Sequence, residues 1–231
     1  MKYQQGLLLK LSGEVFSNSE ICRGVVSEMT ALSGKIRFAV LLGGGNHIRG
    51  NSYGQSGSTR VFADRMGMIG TLLNGLWLES MLREEGVQAV HMSAVPLTWV
   101  KRYDPVKARD AYSSGQILIL TGGTGLPYFS TDTSAVLRAV ELGVDKVLKG
   151  TKVKGVFSAD PETDPDAEFF PLLTYSDALS LNLAIMDQTA FSLAREHNLI
   201  IQVFNVFDTG NIGRIVKGEK IGTLVSRKEE L

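Results

Sequence analysis

The chain has 231 residues, of which 24 are basic and 24 acidic, so its formal net charge at pH 7 is zero. This balance gives no reason to expect a nucleic-acid-binding surface, and a hydrophobic content of 44 % is typical of a folded protein rather than a disordered one. The single cysteine, Cys22, excludes an internal disulfide framework. No apolar run reaches the roughly 18 residues that a membrane span needs, and the start does not resemble a signal peptide, so we expect a cytoplasmic protein.

Short apolar runs alternate with helical patterns along the whole chain. The predicted strands are Leu7–Leu11, Ile36–Leu42, Val87–Met92, Gln116–Leu120, Val144–Lys149, Ile200–Phe204 and Gly222–Val225. The predicted helices are Glu20–Leu32, Arg60–Glu85, Pro105–Ser113, Thr133–Leu142, Gln188–Glu196 and Asn211–Lys217. This alternation predicts right-handed βαβ crossovers, and therefore an α/β fold: a three-layer α/β/α sandwich around a mostly parallel central sheet.

Two segments depart from the simple alternation. The acidic, proline-rich stretch Ser158–Pro171 has no periodicity, and we interpret it as an exposed loop between two lobes of one domain. The helix predicted at Arg60–Glu85 carries apolar residues on more than one stripe, which indicates burial on two sides. Such a helix lies either in the centre of the core or in a subunit interface, and the sequence leaves both open.

The 25 glycines exceed the typical share of about 7 %, and many lie in three loops directly after predicted strands. The loops read KLSGE at Lys10–Glu14, GGGNHIRG at Gly43–Gly50 and TGGTGLPYFSTDT at Thr121–Thr133. Glycine lets backbone amides approach an anion closely, and a helix that follows adds its positive end. Each loop alone is equally explained as a tight turn. Three of them at one edge of a parallel sheet favour phosphate binding.

The two common phosphate motifs are nevertheless absent. The only Gly-Lys pair, Gly34-Lys35, is followed by Ile36 instead of the Ser or Thr of a Walker A loop. Counted from Gly43, the sixth position of a dinucleotide motif is Ile48 instead of glycine. No nucleophile–base motif and no histidine pair with metal-ligand spacing is present. Phosphoryl transfer to an acceptor that is already anionic fits this set, because it needs charge neutralisation and positioning rather than a general base.

Four charged residues near the loops are candidates for that chemistry, and three of them also have an ordinary structural explanation. Lys10 could neutralise a transferring phosphoryl group or be a solvated strand-end lysine. Arg49 could clamp phosphate oxygens. Asp64 has Arg60 one turn before it, so an i,i+4 ion pair is its simplest role. Asp132 could cap a helix, orient Lys10 or hold a magnesium ion.

In chain order, these loops and several further stretches resemble the amino acid kinase family, and most closely its bacterial uridylate (UMP) kinases. The further stretches are RVFADRMGM (Arg60–Met68), MSAVPL (Met92–Leu97), VLKGTKVKGVFSADP (Val147–Pro161), LTYSDAL (Leu173–Leu179), IMDQTAF (Ile185–Phe191), VFN (Val203–Asn205) and GTLVS (Gly222–Ser226). The resemblance covers nearly the whole chain. It implies ATP-dependent conversion of UMP to UDP in pyrimidine synthesis, on one domain with an acceptor lobe at roughly residues 1–143 and an ATP lobe at roughly 144–231.

The resemblance also implies roles for individual residues. The implied catalytic residues are Lys10, Arg49, Asp132 and Asp187. The implied ATP positions are Lys10, Leu11, Ser12, Gly13, Gly45, Arg49, Thr151, Phe157 and Asp160. The implied UMP positions are Gly44, Asp64, Thr124, Gly125, Leu126, Pro127, Tyr128, Phe129, Ser130 and Thr131. Mg²⁺ would accompany ATP, UTP would inhibit from the acceptor site, and the enzyme would be a homohexamer, which agrees with the two-sided helix.

Two departures from the family pattern and two alternatives complete the interpretation. The segment after KLSGE is short and contains only Gly24, which leaves activation by GTP open, and Lys154 stands where the family often has an acidic residue. One alternative is a kinase of the same fold acting on a small carboxylate or carbamate, which the stretch GTGLPYFSTDT and Asp64 disfavour. The other is a nucleotide-binding sensor without catalysis, which Lys10, Arg49 and Asp132 together disfavour.

Overall fold

A nine-stranded sheet forms the centre of the protein in the computed structural model, which describes residues 6–48 and 57–227. Its strands are β1 (Gly6–Leu11), β2 (Arg37–Leu42), β3 (Ala89–Ser93), β4 (Lys101–Arg102), β5 (Ile117–Thr121), β6 (Lys146–Thr151), β9 (Leu172–Thr174), β10 (Ile200–Asn205) and β11 (Thr223–Ser226). The order is β4-β3-β5-β2-β1-β6-β10-β11-β9, and within this sheet only β10 and β11 pair antiparallel. A separate ribbon joins β7 (Val156–Phe157) to β8 (Phe169–Phe170).

Seven helices cover the sheet in the described part of the chain. They are α1 (Ser19–Leu32), α2 (Gly57–Glu84), α3 (Pro105–Ser113), α4 (Thr131–Leu142), α5 (Tyr175–Ser180), α6 (Gln188–Glu196) and α7 (Asn211–Val216), and a 3-10 turn occupies Gly13–Ser17. Every strand and helix predicted from the sequence is present, with ends within three residues of the predicted ones. The sequence pattern did not reveal β4, the β7–β8 ribbon, β9, α5 or the 3-10 turn, which are all short.

Two hydrophobic cores lie on the two faces of the sheet, so the predicted three-layer α/β/α sandwich is confirmed. Successive residues of β1 alternate between them: Leu8 faces one core, while Leu7, Leu9 and Leu11 face the other. Helices α3 to α6 contribute side chains to the first core, and α1, α7 and the C-terminal part of α2 contribute to the second. Because both faces are covered, the inner strands consist mostly of apolar residues.

Helix α2 has the core role that its sequence allowed, and it also exposes an apolar face. Leu78 and Leu82 are fully buried in the second core. Other apolar side chains of the helix form an exposed stripe at spacings of three and four residues, and two-fifths to three-fifths of each is accessible: Phe62, Met66, Ile69, Leu73 and Trp77. We call these five residues the α2 stripe. The helix is therefore a core helix that also exposes an apolar face.

The acidic segment differs from its interpretation as a connection between lobes. Both its ends lie in one ribbon, where Phe157 pairs with Phe169 and the Ser158 N–H donates to the Glu168 carbonyl at 2.9 Å. It is therefore a loop that leaves and rejoins the same part of the fold. Among the described residues, no helix is long and apolar enough to cross a membrane.

Candidate active site

Two lysines and one aspartate form a charged cluster at the carboxyl end of the central strands. Lys10 of β1 and Lys149 of β6 are direct partners in the parallel register, so both side chains leave the sheet on the same side. The Lys10 Nζ lies 2.9 Å from one carboxylate oxygen of Asp132, and the Lys149 Nζ lies 2.6 Å from the other. Each of the three side chains is at most 15 % exposed. One carboxylate thus fixes the spacing of two ammonium groups.

The electrostatics of this cluster favour the charged form of Asp132. Burial alone would raise the pKa of Asp132, but the positive charges of Lys10 and Lys149 outweigh it and lower the pKa to about 2. Burial also lowers the pKa of Lys149, an effect that Asp132 partly offsets. Lys149 donates a further hydrogen bond to the Ile185 carbonyl. With both lysines protonated, the cluster carries one net positive charge toward any anion bound beside it.

Asp132 is free for this role because another residue caps its helix. The Ser130 hydroxyl oxygen accepts hydrogen bonds from the N–H groups of Asp132 and Thr133, both at 3.0 Å. Ser130 is therefore the N-cap of α4, and the helix-cap explanation of Asp132 is wrong. The order Ser-Thr-Asp places the aspartate in the first turn, where the helix dipole also stabilises a negative charge.

Asp187 fastens a neighbouring segment to the same helix start. As the N-cap of α6, its carboxylate accepts from the Ala190 N–H at 3.0 Å. The same carboxylate accepts from the hydroxyls of Thr133, at 2.7 Å, and Ser130. Its charge also acts on Lys149, whose pKa it raises. The structure thus places Asp187 beside the charged cluster, while its catalytic role stays a prediction.

A cavity between α2 and the two glycine loops contains several of the implied UMP residues. Its wall includes Gly44, Gly45, Asp64, Thr71, Gly123, Thr124, Phe129 and Thr131. Asp64 forms the expected ion pair, with its two oxygens 2.8 and 2.9 Å from the Arg60 Nε. It does more than the simplest explanation requires, because it also accepts from the Tyr128 N–H at 2.7 Å. Asp64 therefore holds the loop after β5, in which Tyr128 has a positive φ of 69°.

A second cavity, which Lys149 of the cluster helps to line, contains the implied adenine-nucleotide residues. Thr151, Phe157 and Asp160 line it together with Lys149 and the segment 182–185. An adjoining cleft contains Lys10, Ser12 and again Asp160. The Ser12 hydroxyl oxygen accepts from the Glu14 N–H at 3.4 Å at the start of the 3-10 turn. The predicted ATP side is thus one continuous region beginning at Lys10.

Some of the predicted residues lie outside the cavity to which the resemblance assigns them. Leu11 has its side chain fully buried in the core and its carbonyl bonded to the Gly43 N–H, so it offers ATP no free side chain. Gly45, implied for ATP, lines the acceptor-side cavity. Gly13, which is also implied for ATP, packs against Gly45. Five residues of the implied UMP loop do not line the acceptor-side cavity: Gly125, Leu126, Pro127, Tyr128 and Ser130. Arg49 lies outside the described residues.

Sequence reasoning missed Lys149, although a signal was present. The runs LLLK in β1 and KVLK in β6 both place a lysine after apolar residues near the end of a buried strand. A lysine at such a position is rarely structural, because burying its charge is costly without a partner.

No group of three or more His, Cys, Asp or Glu side chains suited to a metal ion exists within residues 6–48 and 57–227.

The comparisons with known proteins agree with this geometry. The model of the amino acid kinase family matches residues 6–205, so the chain belongs to the amino acid kinase family. A uridylate kinase of Pectobacterium atrosepticum is 43 % identical over 234 residues, which cover 96 % of each chain. A uridylate kinase of Yersinia enterocolitica is also 43 % identical, over 97 % of this chain and 94 % of its own.

Solved structures point the same way. The UMP kinase from Bacillus anthracis superposes with a TM-score of 0.91 at 33 % identity, over 97 % of this chain and 96 % of that chain. The UMP kinase from Ureaplasma parvum gives 0.88 at 33 % identity, over 96 % and 99 %. The family resemblance drawn from the motifs is thereby confirmed.

Proposed function

We propose that the protein transfers the γ-phosphoryl group of ATP to UMP, forming UDP and ADP. The observation that carries this proposal is that the charged cluster adjoins both cavities. Lys149 lines the ATP-side cavity, and Asp132 directly follows Thr131 in the wall of the acceptor-side cavity. A phosphoryl group passing from one cavity to the other would therefore travel beside both ammonium groups. The names of the similar proteins support UMP as the acceptor.

The chemistry follows from what these residues offer. Transfer forms a bond between a UMP phosphate oxygen and the γ-phosphorus, and it breaks the bond from that phosphorus to the β,γ-bridging oxygen of ATP. The negative charge on the transferring group is stabilised by Lys10 and Lys149, whose spacing Asp132 holds fixed. The acceptor phosphate is already anionic, so no base has to remove a proton. Arg49 and the glycine-loop amides complete the proposed anion contacts.

Mg²⁺ is proposed to enter with ATP as part of the substrate. Both oxygens of Asp132 already face ammonium groups, and the Asp187 carboxylate accepts from two hydroxyls and a backbone N–H. Since Mg²⁺ commonly keeps several waters and binds substrate phosphates directly, it does not need a dedicated set of protein ligands. When bound, it would neutralise charge on the phosphates.

The acceptor is tested by a coupled assay that measures ADP with ATP, Mg²⁺ and one candidate acceptor at a time. We expect turnover with UMP well above that with AMP, GMP, carbamate or a small carboxylate such as acetate. ADP formed only with carbamate or a carboxylate would support the alternative kinase. UMP binding without any ADP would support a sensor, and either outcome would contradict the proposal. CMP belongs in the same series, because the acceptor cavity alone does not decide its use.

We further propose the two lobes, UTP inhibition and a homohexamer implied by the resemblance. UTP shares the uridine part of UMP, so it should raise the KM for UMP by competition. The α2 stripe supports assembly, because a second copy of the same apolar face would cover it. Leu73→Asp should reduce the assembly state measured by light scattering, whereas Val106→Asp, at a more exposed site on α3, should not. We place the enzyme in the cytoplasm, where its nucleotide substrates are found.

A further inference from the structure

Two polar residues on the inner face of α2 are buried. Thr71 is 2 % exposed and Asn74 is fully buried, and they are three residues apart on the same side of the helix. A buried amide or hydroxyl is costly unless its hydrogen bonds are satisfied. Thr71 and Asn74 satisfy their hydrogen bonds with groups in the glycine loops, and not only with groups of their own helix.

Asn74 holds the loop after β2 through four contacts. Its Nδ2 donates to the Gly43 carbonyl at 2.7 Å and to the Asn46 Oδ1 at 2.9 Å. Because a carbonyl can only accept, the Gly43 contact fixes which way the Asn74 amide points. The Asn74 Oδ1 therefore accepts, from the Asn46 Nδ2 at 3.2 Å and from the His47 Nε2 at 3.0 Å. His47 must accordingly carry a hydrogen on Nε2.

Thr71 holds the loop after β5 in the same manner. Its hydroxyl donates to the Met68 carbonyl at 2.7 Å, which commits its hydrogen. The Thr71 Oγ1 then accepts from the Gly122 N–H, also at 2.7 Å. Gly122 has a φ of +76°, and a Cβ there would lie 2.8 Å from the Val95 nitrogen, so the residue is confined to glycine. One helix thus binds both loops that line the acceptor-side cavity.

Close packing makes this attachment rigid and extends it toward the ATP side. A Cβ on Gly44 would lie 2.5 Å from the Gly67 carbonyl oxygen, so the first loop rests directly on the backbone of α2. On its other side, a Cβ on Gly13 would lie 2.4 Å from the Asn46 Oδ1. Asn46, which Asn74 orients, therefore contacts the 3-10 turn that follows β1, the strand that carries Lys10. Displacing Asn74 would disturb loops on both sides of the reaction.

We propose that Thr71 and Asn74 are positioning residues, which hold the loops at 43–47 and 121–125 in the geometry that receives the acceptor phosphate. The proposal rests on the proposed function. Thr71 acts on the acceptor loop alone, so its loss should affect UMP selectively. Asn74 acts on the loop that touches Gly13 as well as the acceptor cavity, so its loss should lower kcat with both substrates saturating.

The test compares Thr71→Val, Thr71→Ser and Asn74→Asp with the wild-type enzyme. Thr71→Val keeps the shape but leaves a buried N–H without a partner, which should raise the KM for UMP about tenfold while the KM for ATP changes less than about twofold. Thr71→Ser restores the hydroxyl and should return the KM for UMP close to the wild-type value. Asn74→Asp loses the donor to the Gly43 carbonyl and should lower kcat at least about tenfold.

A matched control separates positioning from general stability. Thr30→Val in α1 removes a buried hydroxyl that has no hydrogen-bond partner, so it should leave both KM values unchanged. The proposal is wrong if folded Thr71→Val keeps the wild-type KM for UMP, if serine fails to rescue it, or if Thr30→Val has the same effect. If Asn74→Asp does not fold, the two Thr71 variants and Thr30→Val still test the proposal.

Calorimetric titration with UMP distinguishes this proposal from the proposed function. A wild-type protein that binds UMP without forming UDP contradicts the function, and the Thr71 variants are then judged by their dissociation constants for UMP. Weaker binding in Thr71→Val, recovered in Thr71→Ser, would still support the positioning role. Equal binding in all of them would refute it. If the wild-type protein binds no UMP, both proposals fail.

Discussion

Replacing Asp132 by asparagine tests whether one carboxylate organises the charged cluster. The substitution keeps the side chain's shape but leaves the ammonium groups of Lys10 and Lys149 beside a neutral amide. The pKa of Asp132 is about 2 instead of its usual 3.8, although burial alone would raise it. At 1.36 kcal/mol per pKa unit, the net stabilisation of the charged form is about 2 kcal/mol.

That value gives expected changes in both activity and stability. Misplacing two charges aimed at the transferring group should lower kcat at least about 100-fold. The KM for ATP should not rise, because the variant gains net positive charge at the phosphate site. At neutral pH the melting temperature should fall by about 4–8 °C, at the 2–4 °C per kcal/mol typical of a chain of this length.

The pH dependence of unfolding gives an independent measurement. Because the folded pKa is depressed, this contribution is fully present above pH 3.8 and is lost as the pH falls toward 2. In denaturant titrations between pH 5 and 2, the free energy of unfolding should therefore fall more in the wild-type protein than in Asp132→Asn. Asp110→Asn, at an exposed site in α3, is the matched control. Wild-type kcat in Asp132→Asn, or an unchanged acid profile, would refute the reasoning.

Three further substitutions test other parts of the structure. Lys10→Ala should lower kcat at least about 100-fold in the ADP assay, and retained turnover would remove Lys10 from the mechanism. Asp64→Asn weakens the contacts with the Arg60 side chain and with the Tyr128 N–H, so initial rates should show a raised KM for UMP. A change in the KM for ATP alone would reverse the assignment of the two cavities. Glu28→Ala removes a carboxylate that accepts hydrogen bonds from the N–H groups of Gly210 and Gly213 at the start of α7. The substitution should lower the free energy of unfolding by about 2 kcal/mol without changing kcat. An unchanged denaturation midpoint would contradict this expectation.

The sheet could be predicted from the sequence because its strands are buried on both faces. Two of them, β1 and β2, contain the nearly continuous apolar runs LLLKL and RFAVLL. The β7–β8 ribbon could not be predicted in the same way. Its strands are two residues long, and they exist through the pairing of Val156 with Phe170 and of Phe157 with Phe169 across the acidic loop.

The site could be predicted only as far as local signals reach. Glycine loops after strands are local, and they led to the edge of the sheet where the charged cluster lies. The partnership of Lys10, Asp132 and Lys149 depends on the register between β1 and β6, which are distant in sequence. The roles of Thr71 and Asn74 likewise depend on which loops α2 crosses. Asp132 was open to a capping role because the sequence alone does not say which residue of Ser-Thr-Asp begins the helix.

The central position of β1 has a consequence for synthesis of the chain. Its first partner, β2, follows within the next 37 residues counted from Gly6, but its second partner, β6, begins only at Lys146. While the ribosome makes the intervening segment, one edge of a mostly apolar strand has no neighbour, and such an edge invites pairing with other chains. A chain ended at residue 143 would keep that edge open permanently. The first 143 residues should therefore aggregate when made alone, even though they include every residue of the acceptor-side cavity.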